Sequence, residues 1–197
     1  MKKGQEESSL FTLHSSLLIM VEDKYPCYFG EKKCMNEEVL NKLRAVQTLE
    51  PENVKYLIIH CTATRCDMDY TEADLEREHK NRGFLTVGYH YYVRKDGTVT
   101  KWRDLNKIGA HCKPYNSCSI GICYEGGIME NGKPGNTMTP QQYDRIGALL
   151  VELQNQFPNA VVRGHRDMPL ASKKACPCFD AKRIFKDFII NEEIDEL

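Results

Sequence analysis

The sequence predicts an α/β domain in which a central β-sheet is flanked by helices. Three observations carry that prediction. From Val54 onward, short apolar runs of strand length alternate with segments of helical character. Asp96-Gly97 stands between two β-rich runs, a strong hairpin signal. Thr71 and Thr139 each precede a segment that reads as a capped helix.

The elements follow in order. Residues 55–60 (KYLIIH) form an apolar strand. Thr71 caps a helix that runs to Arg82, with Gly83 as its stop. Residues 89–93 and 98–102 are the arms of the hairpin. Residues 119–124 (SIGICY) make a buried strand that ends at Gly126-Gly127. Thr139 caps the next helix, with Pro140 in its first turn and Gln142 closing a capping box. That helix reaches Phe157, before Pro158. Residues 160–163 are a strand and residues 179–189 a final helix.

Residues 1–52 differ from the domain of residues 53–197 and read as an N-terminal extension. Within it, residues 36–47 suit a short amphipathic helix. Asn36 is its cap, Glu37 and Glu38 favour its first turn, and Val39, Leu40, Leu43 and Val46 are its apolar stripe. Residues 10–21 are apolar but contain His14, Ser15 and Ser16. Glu6 and Glu7 precede them, and no small-residue cleavage site follows. They are therefore expected to pack on the domain rather than to act as an export signal.

Composition narrows the function. Lys+Arg number 27 and Asp+Glu 28, a net charge of −1, so no basic field invites nucleic acid. No apolar run reaches the length of a transmembrane helix. The nine cysteines are odd in number, which speaks for free thiols rather than a disulfide framework. Cys27 with Cys34, and Cys112 with Cys118, are pairs that an oxidising compartment would allow.

The candidate chemistry starts at His60, which ends an apolar strand, where α/β proteins place functional side chains. His165 follows another strand and Gly164, and Cys176 comes eleven residues later. Two histidines and a cysteine can give zinc three ligands and leave a fourth position for water, the catalytic arrangement. No paired CxxC knuckle of a structural site is present. Spacing alone leaves His60 open to a plain structural role, because the ligands lie far apart along the chain.

Six blocks occur in order: IIHCTAT (58–64), GYHYYVRKDGTV (88–99), IGAHC (108–112), YNSCSIGIC (115–123), RGHRD (163–167) and KACPCFD (174–180). In these blocks the chain resembles the zinc-dependent N-acetylmuramoyl-L-alanine amidases of the phage-lysozyme type, relatives of the peptidoglycan recognition proteins. The resemblance spans residues 54–190, about 70% of the chain. It implies a central mixed β-sheet flanked by helices, a Zn2+ cofactor, and hydrolysis of the amide between N-acetylmuramic acid and L-alanine in peptidoglycan. His60, His165 and Cys176 fall on the zinc ligands, Tyr89 and Lys174 on catalytic residues, and His111 on a cleft-lining histidine. Asn116 is a candidate contact for the stem peptide, with loop capping as its other reading. Trp102 and Tyr115 suit either stacking walls or core packing.

The amide hydrolysis also needs groups that the protein must supply. A lysine ammonium such as Lys174 offsets charge that develops on the carbonyl oxygen. A hydroxyl such as that of Tyr89 moves a proton to the alanine nitrogen. Some relatives place a glutamate general base where this chain has Cys123; Glu125, two residues on, is the substitute to test, with plain solvation as its other reading. Cys178 stands where relatives have a small residue and could compete with Cys176, although the Lys-x-Cys-Pro spacing favours Cys176. A recognition module that has lost catalysis would lack Cys176, which this chain keeps. The resemblance further implies a monomer that acts on peptidoglycan or muropeptides. It implies an endolysin-like location, cytoplasmic until release, with export to the envelope as the other route.

Overall fold

A computed structural model describes residues 48–171 and 173–190. The helix expected over residues 36–47, the apolar run at 10–21, and Cys27 and Cys34 lie outside the described residues. Leu49 is inside them and belongs to the core, with its N–H donated to the Asn106 carbonyl at 2.8 Å.

The main sheet has the order β4-β3-β5-β1-β7. Its strands are β1 (Tyr56–Cys61), β3 (Tyr91–Val93), β4 (Val99–Lys101), β5 (Ser119–Tyr124) and β7 (Val161–Gly164). β1 runs parallel to both β5 and β7, and β3 is parallel to β5. Only β4 is antiparallel, through the hairpin with β3. The sheet is therefore mixed. A second, two-stranded sheet pairs β2 (Thr64–Arg65) with β6 (Gly127–Ile128) in parallel.

Alternation along β5 divides the core into two layers. Ile120, Ile122 and Tyr124 face one cluster with Leu57 and Ile59 of β1. That cluster is closed by Ile146, Leu149, Leu150 and Leu153 of α2 (Pro140–Gln156) and by Phe185. Cys123 faces the other side, where it packs with Tyr92, Val87 and Leu75 of α1 (Glu72–Asn81). His60 has the parity of Ile58 and lies opposite Cys123 in the register, so it too faces the α1 side.

Local chemistry explains the helix ends. At α1, Thr71 accepts from Asp74 N–H at 3.2 Å, and the Asp74 carboxylate accepts from Thr71 N–H at 2.9 Å. Gly83 takes φ +85° just past its end, a conformation that a side chain would strain. At α2, Thr139 and Gln142 make the same reciprocal cap. The Gln142 amide also donates to the carbonyls of Val93 and Glu125, at 3.1 and 3.0 Å, which ties the start of α2 to the sheet.

The final helix departs from expectation. In place of one helix over 179–189 the chain forms α3 (Ala181–Ile184) and then a 3-10 turn, Lys186–Phe188. Gln154 accounts for the break. Its amide donates to the Phe188 carbonyl at 2.8 Å, and its oxygen accepts from Ile190 N–H at 3.0 Å. The Phe188 ring also occupies the space beside Gly147, where a Cβ would come within 2.5 Å of it. These tertiary contacts override the local helical preference.

Glu125 is not solvated, contrary to its plainer sequence reading: it is 0% exposed. Its carboxylate accepts from Tyr70 N–H at 2.8 Å, Arg94 Nε at 2.9 Å and Lys95 N–H at 3.0 Å. Arg94 goes on to Glu72 and Asp69, so Glu125 anchors a network between the hairpin and the segment that leads into α1. Among the described residues, no helix is long and apolar enough to cross a membrane.

Candidate metal centre and active site

The strand register builds the site. β1 pairs with β7 so that Ile59 lies opposite Gly164. The residues that follow these two are His60 and His165, whose ring centroids are 4.8 Å apart. The carboxyl ends of two parallel strands thus bring together residues more than a hundred positions apart, at the edge where α/β sheets place their ligands.

Two backbone hydrogen bonds bring in Cys176. Arg166 N–H donates to the Cys176 carbonyl at 2.7 Å, which fastens the cysteine loop to the turn after β7. Cys61 N–H points at the Cys176 Sγ, 3.3 Å away. Gly164 permits the approach, because a Cβ there would meet Pro177 Cδ at 2.7 Å.

His60, His165 and Cys176 offer ligand atoms that all lie within 4.8 Å of one another, a group that could hold a metal ion. His60 Nδ1 is 3.8 Å from Cys176 Sγ. Tetrahedral coordination at ordinary zinc–nitrogen and zinc–sulfur lengths separates two such donors by about 3.6 Å. The donor set fits zinc in chemistry and in spacing. His60 and His165 are both buried. Burial, followed by His111, His165 and Lys174 in that order, pushes the His60 pKa well down, and burial and Lys174 lower that of His165. Both are kept as the neutral imidazoles that ligate metals.

The other expected residues surround this group. The Tyr89 ring lies 5.1 Å from that of His60. Burial, then the thiols of Cys123, Cys176 and Cys61, push the Tyr89 phenol well up, so it keeps its proton. Lys174 is exposed on the cysteine loop, and its charge acts on both histidines. His111 Nδ1 is 3.0 Å from His60 Nε2. Asn116 Oδ1 accepts from the N–H groups of His111 and Cys112, at 2.9 and 2.8 Å, and so brackets the loop that carries His111. Cys178 turns elsewhere: its Sγ is 3.8 Å from that of Cys61. Trp102 packs against the Leu75–Tyr92 cluster, and Tyr115 packs edge-on against Tyr56.

Two features escaped the sequence reading. His79, on the buried side of α1, packs edge-on against Tyr89 at 5.4 Å and hydrogen-bonds the Leu75 carbonyl through Nδ1 at 2.9 Å. Nothing in the helical pattern marks it. Gly109 and Gly121 form a cradle for His111, where Cβ atoms would come within 2.4 and 2.6 Å of its ring. A glycine inside a strand such as β5 is a signal of close approach that could have revealed the second of these.

Comparison with known proteins agrees with this geometry. Residues 50–179 match the N-acetylmuramoyl-L-alanine amidase family. The endolysin of Enterobacteria phage K11 is 40% identical over 141 residues, covering 72% of this chain and 91% of that protein. The solved N-acetylmuramoyl-L-alanine amidase LysC from Clostridium intestinale URNW superposes with a TM-score of 0.56 at 29% identity, over 70% of this chain and 84% of its own. Bumblebee PGRP-SA shares the fold, with a TM-score of 0.58 at 21% identity over 73% of this chain and 86% of its own. With its zinc-compatible group at the strand ends, the chain belongs to the N-acetylmuramoyl-L-alanine amidases, enzymes that hydrolyse the amide between N-acetylmuramic acid and L-alanine in peptidoglycan.

Proposed function

We propose that the chain carries out this hydrolysis with a zinc ion held by His60, His165 and Cys176, and with Tyr89 and Lys174 as catalytic residues. The observation that carries the reading is the convergence of the three ligand atoms within 4.8 Å in an amidase-family chain. When bound, zinc supplies Lewis acidity and activates water for attack at neutral pH. The Lys174 ammonium offsets the negative charge that develops on the lactyl carbonyl oxygen. The Tyr89 phenol holds a proton at Oη and passes it to the alanine nitrogen as the amide breaks. His111 and Asn116 complete the set beside the substrate cleft.

Relatives that are phage endolysins support a role in wall lysis. We propose that the protein is a monomer held in the cytoplasm until release. Residues 1–52 are proposed as an extension that targets the wall. Deletion of residues 1–47, which spares the buried Leu49, is expected to leave turnover of soluble muropeptide unchanged and to weaken binding to sacculi.

The central test is zinc content and muropeptide cleavage, on the wild type and on Cys176→Ser. Stoichiometric zinc and a free L-alanine amino terminus in the product, both lost in the variant, are expected. Zinc without cleavage would point to a recognition module. Folded, zinc-supplemented protein that holds no metal would overturn the ligand assignment.

A further inference from the structure

We infer that His111 is a positioning residue for the metal centre: it accepts the Nε2–H of His60 and so holds His60 in the tautomer whose Nδ1 faces the metal. The inference rests on the zinc-centre reading above and adds a role to a residue so far placed only beside the cleft.

The two nitrogens of His60 have separate occupations. Nδ1 lies 3.8 Å from the Cys176 Sγ, on the side of the other ligands. Nε2 lies 3.0 Å from His111 Nδ1. A nitrogen that binds a metal carries no proton, so a neutral His60 bound through Nδ1 carries its proton on Nε2. That proton needs an acceptor, and His111 Nδ1 is the atom in place. The proton of His111 then sits on its own Nε2. This nitrogen is buried and has no partner within normal hydrogen-bond limits, but the Ser119 carbonyl is an acceptor that acts on the ring. Metal-bound histidines commonly donate their second N–H in this way, and the acceptor fixes ring orientation.

The ring of His111 is held as a fixed acceptor needs to be. It stands edge-on to His60, with centroids 5.0 Å apart at 85°, and edge-on to His90 at 5.7 Å. Gly109 and Gly121 leave space for it that any side chain would close. Asn116 holds its backbone N–H. His90 cannot replace it, because its Nδ1 accepts from Gly121 N–H and its Nε2 meets the Lys107 carbonyl.

The test compares His111→Leu, which removes the acceptor, with His111→Asn, which is similar in size and keeps an acceptor close to the position of Nδ1. Zinc dissociation constants are measured by competition with a chromophoric chelator. Zinc is expected to bind about 10- to 100-fold more weakly to His111→Leu, with most of the loss recovered in His111→Asn. At saturating zinc, any change in KM for a soluble muropeptide reports on the cleft and is read apart from the zinc affinity. Wild-type zinc affinity in His111→Leu overturns the inference, and a raised KM at unchanged zinc affinity does so by returning His111 to substrate contact alone. A measurement on the wild type covers the case in which His111→Leu does not fold. Nitrogen-15 NMR of the histidines in the zinc-loaded protein should show His60 with a proton on Nε2 and metal on Nδ1. Ligation through Nε2 overturns the inference. A wild type that takes up no zinc fails the metal centre itself, which is a different result from zinc uptake that ignores His111.

Discussion

Gly164 leaves room for the ring of Pro177: a Cβ on Gly164 would lie 2.7 Å from the Pro177 Cδ. Gly164 directly precedes the ligand His165, and Pro177 directly follows the ligand Cys176. Gly164→Ala is therefore expected to push the cysteine loop off the turn after β7. The expected result is sub-stoichiometric zinc and a stability loss of about 1–3 kcal/mol, read by metal analysis and by thermal melting with and without chelator. Full zinc occupancy in this variant would mean that the loop gives way without moving Cys176.

Tyr89 and Lys174 are proposed to act on the reaction without holding the metal. Tyr89→Phe and Lys174→Ala should each lower kcat by about 10²–10³ and leave zinc stoichiometry unchanged. Single-turnover cleavage alongside metal analysis separates the two quantities. Loss of zinc from either variant would move that residue into the metal's support.

Glu125 should matter for stability and not for the chemical step. Its buried carboxylate is shared by Tyr70, Arg94 and Lys95. Glu125→Gln cannot satisfy all of these donors and should cost about 1–3 kcal/mol in urea unfolding. Its kcat at 25 °C should remain within a few-fold of the wild type. A hundredfold fall in kcat at unchanged stability would place Glu125 in the role of the glutamate base that Cys123 replaces.

The buried histidines predict a pH dependence for the metal-free protein. Burial, the largest cause, lowers the His90 pKa to about 4. Its folded value is below its unfolded one, so its contribution to stability is present above about pH 6.5 and is lost as pH falls towards 4. The full effect is about 3 kcal/mol. His60, His79, His111 and His165 are shifted in the same direction. Urea unfolding in chelator should therefore show stability rising from pH 4 to pH 6.5, with a shallower slope in His90→Gln. A flat profile in the wild type would show that these histidines titrate in the fold as they do in the unfolded chain.

The sequence made some levels of this structure legible and left others out. Thr71, Thr139 and Gly83 act through their immediate neighbours, so the caps and the stop of α1 could be read directly. Asp96-Gly97 marked the hairpin for the same reason. The break after Ile184 could not be read, because Gln154 imposes it from another helix. The ligand set had the same difficulty. Strand periodicity shows that His60 and His165 end apolar runs, but not that Ile59 stands opposite Gly164. Only the resemblance of the six blocks joined the ligands. Asn116 illustrates a further gap, since the same residue type serves a ligand contact or a loop bracket, and the structure shows its oxygen engaged by His111 and Cys112.

His60 and Cys176 are separated by 116 positions in the chain. An ion between them would therefore also be a cross-link, one that pins β1 to a loop more than a hundred residues further along the chain. It would close the ring only in the native state, so metal supply and folding would be thermodynamically linked. Free zinc at about a thousand times its dissociation constant would add about 4 kcal/mol to the stability of the fold. Chelation would then do more than stop turnover: it would leave more of the chain unfolded and open to proteases, so that scarcity of one ion would shorten the lifetime of the enzyme as well as silence it.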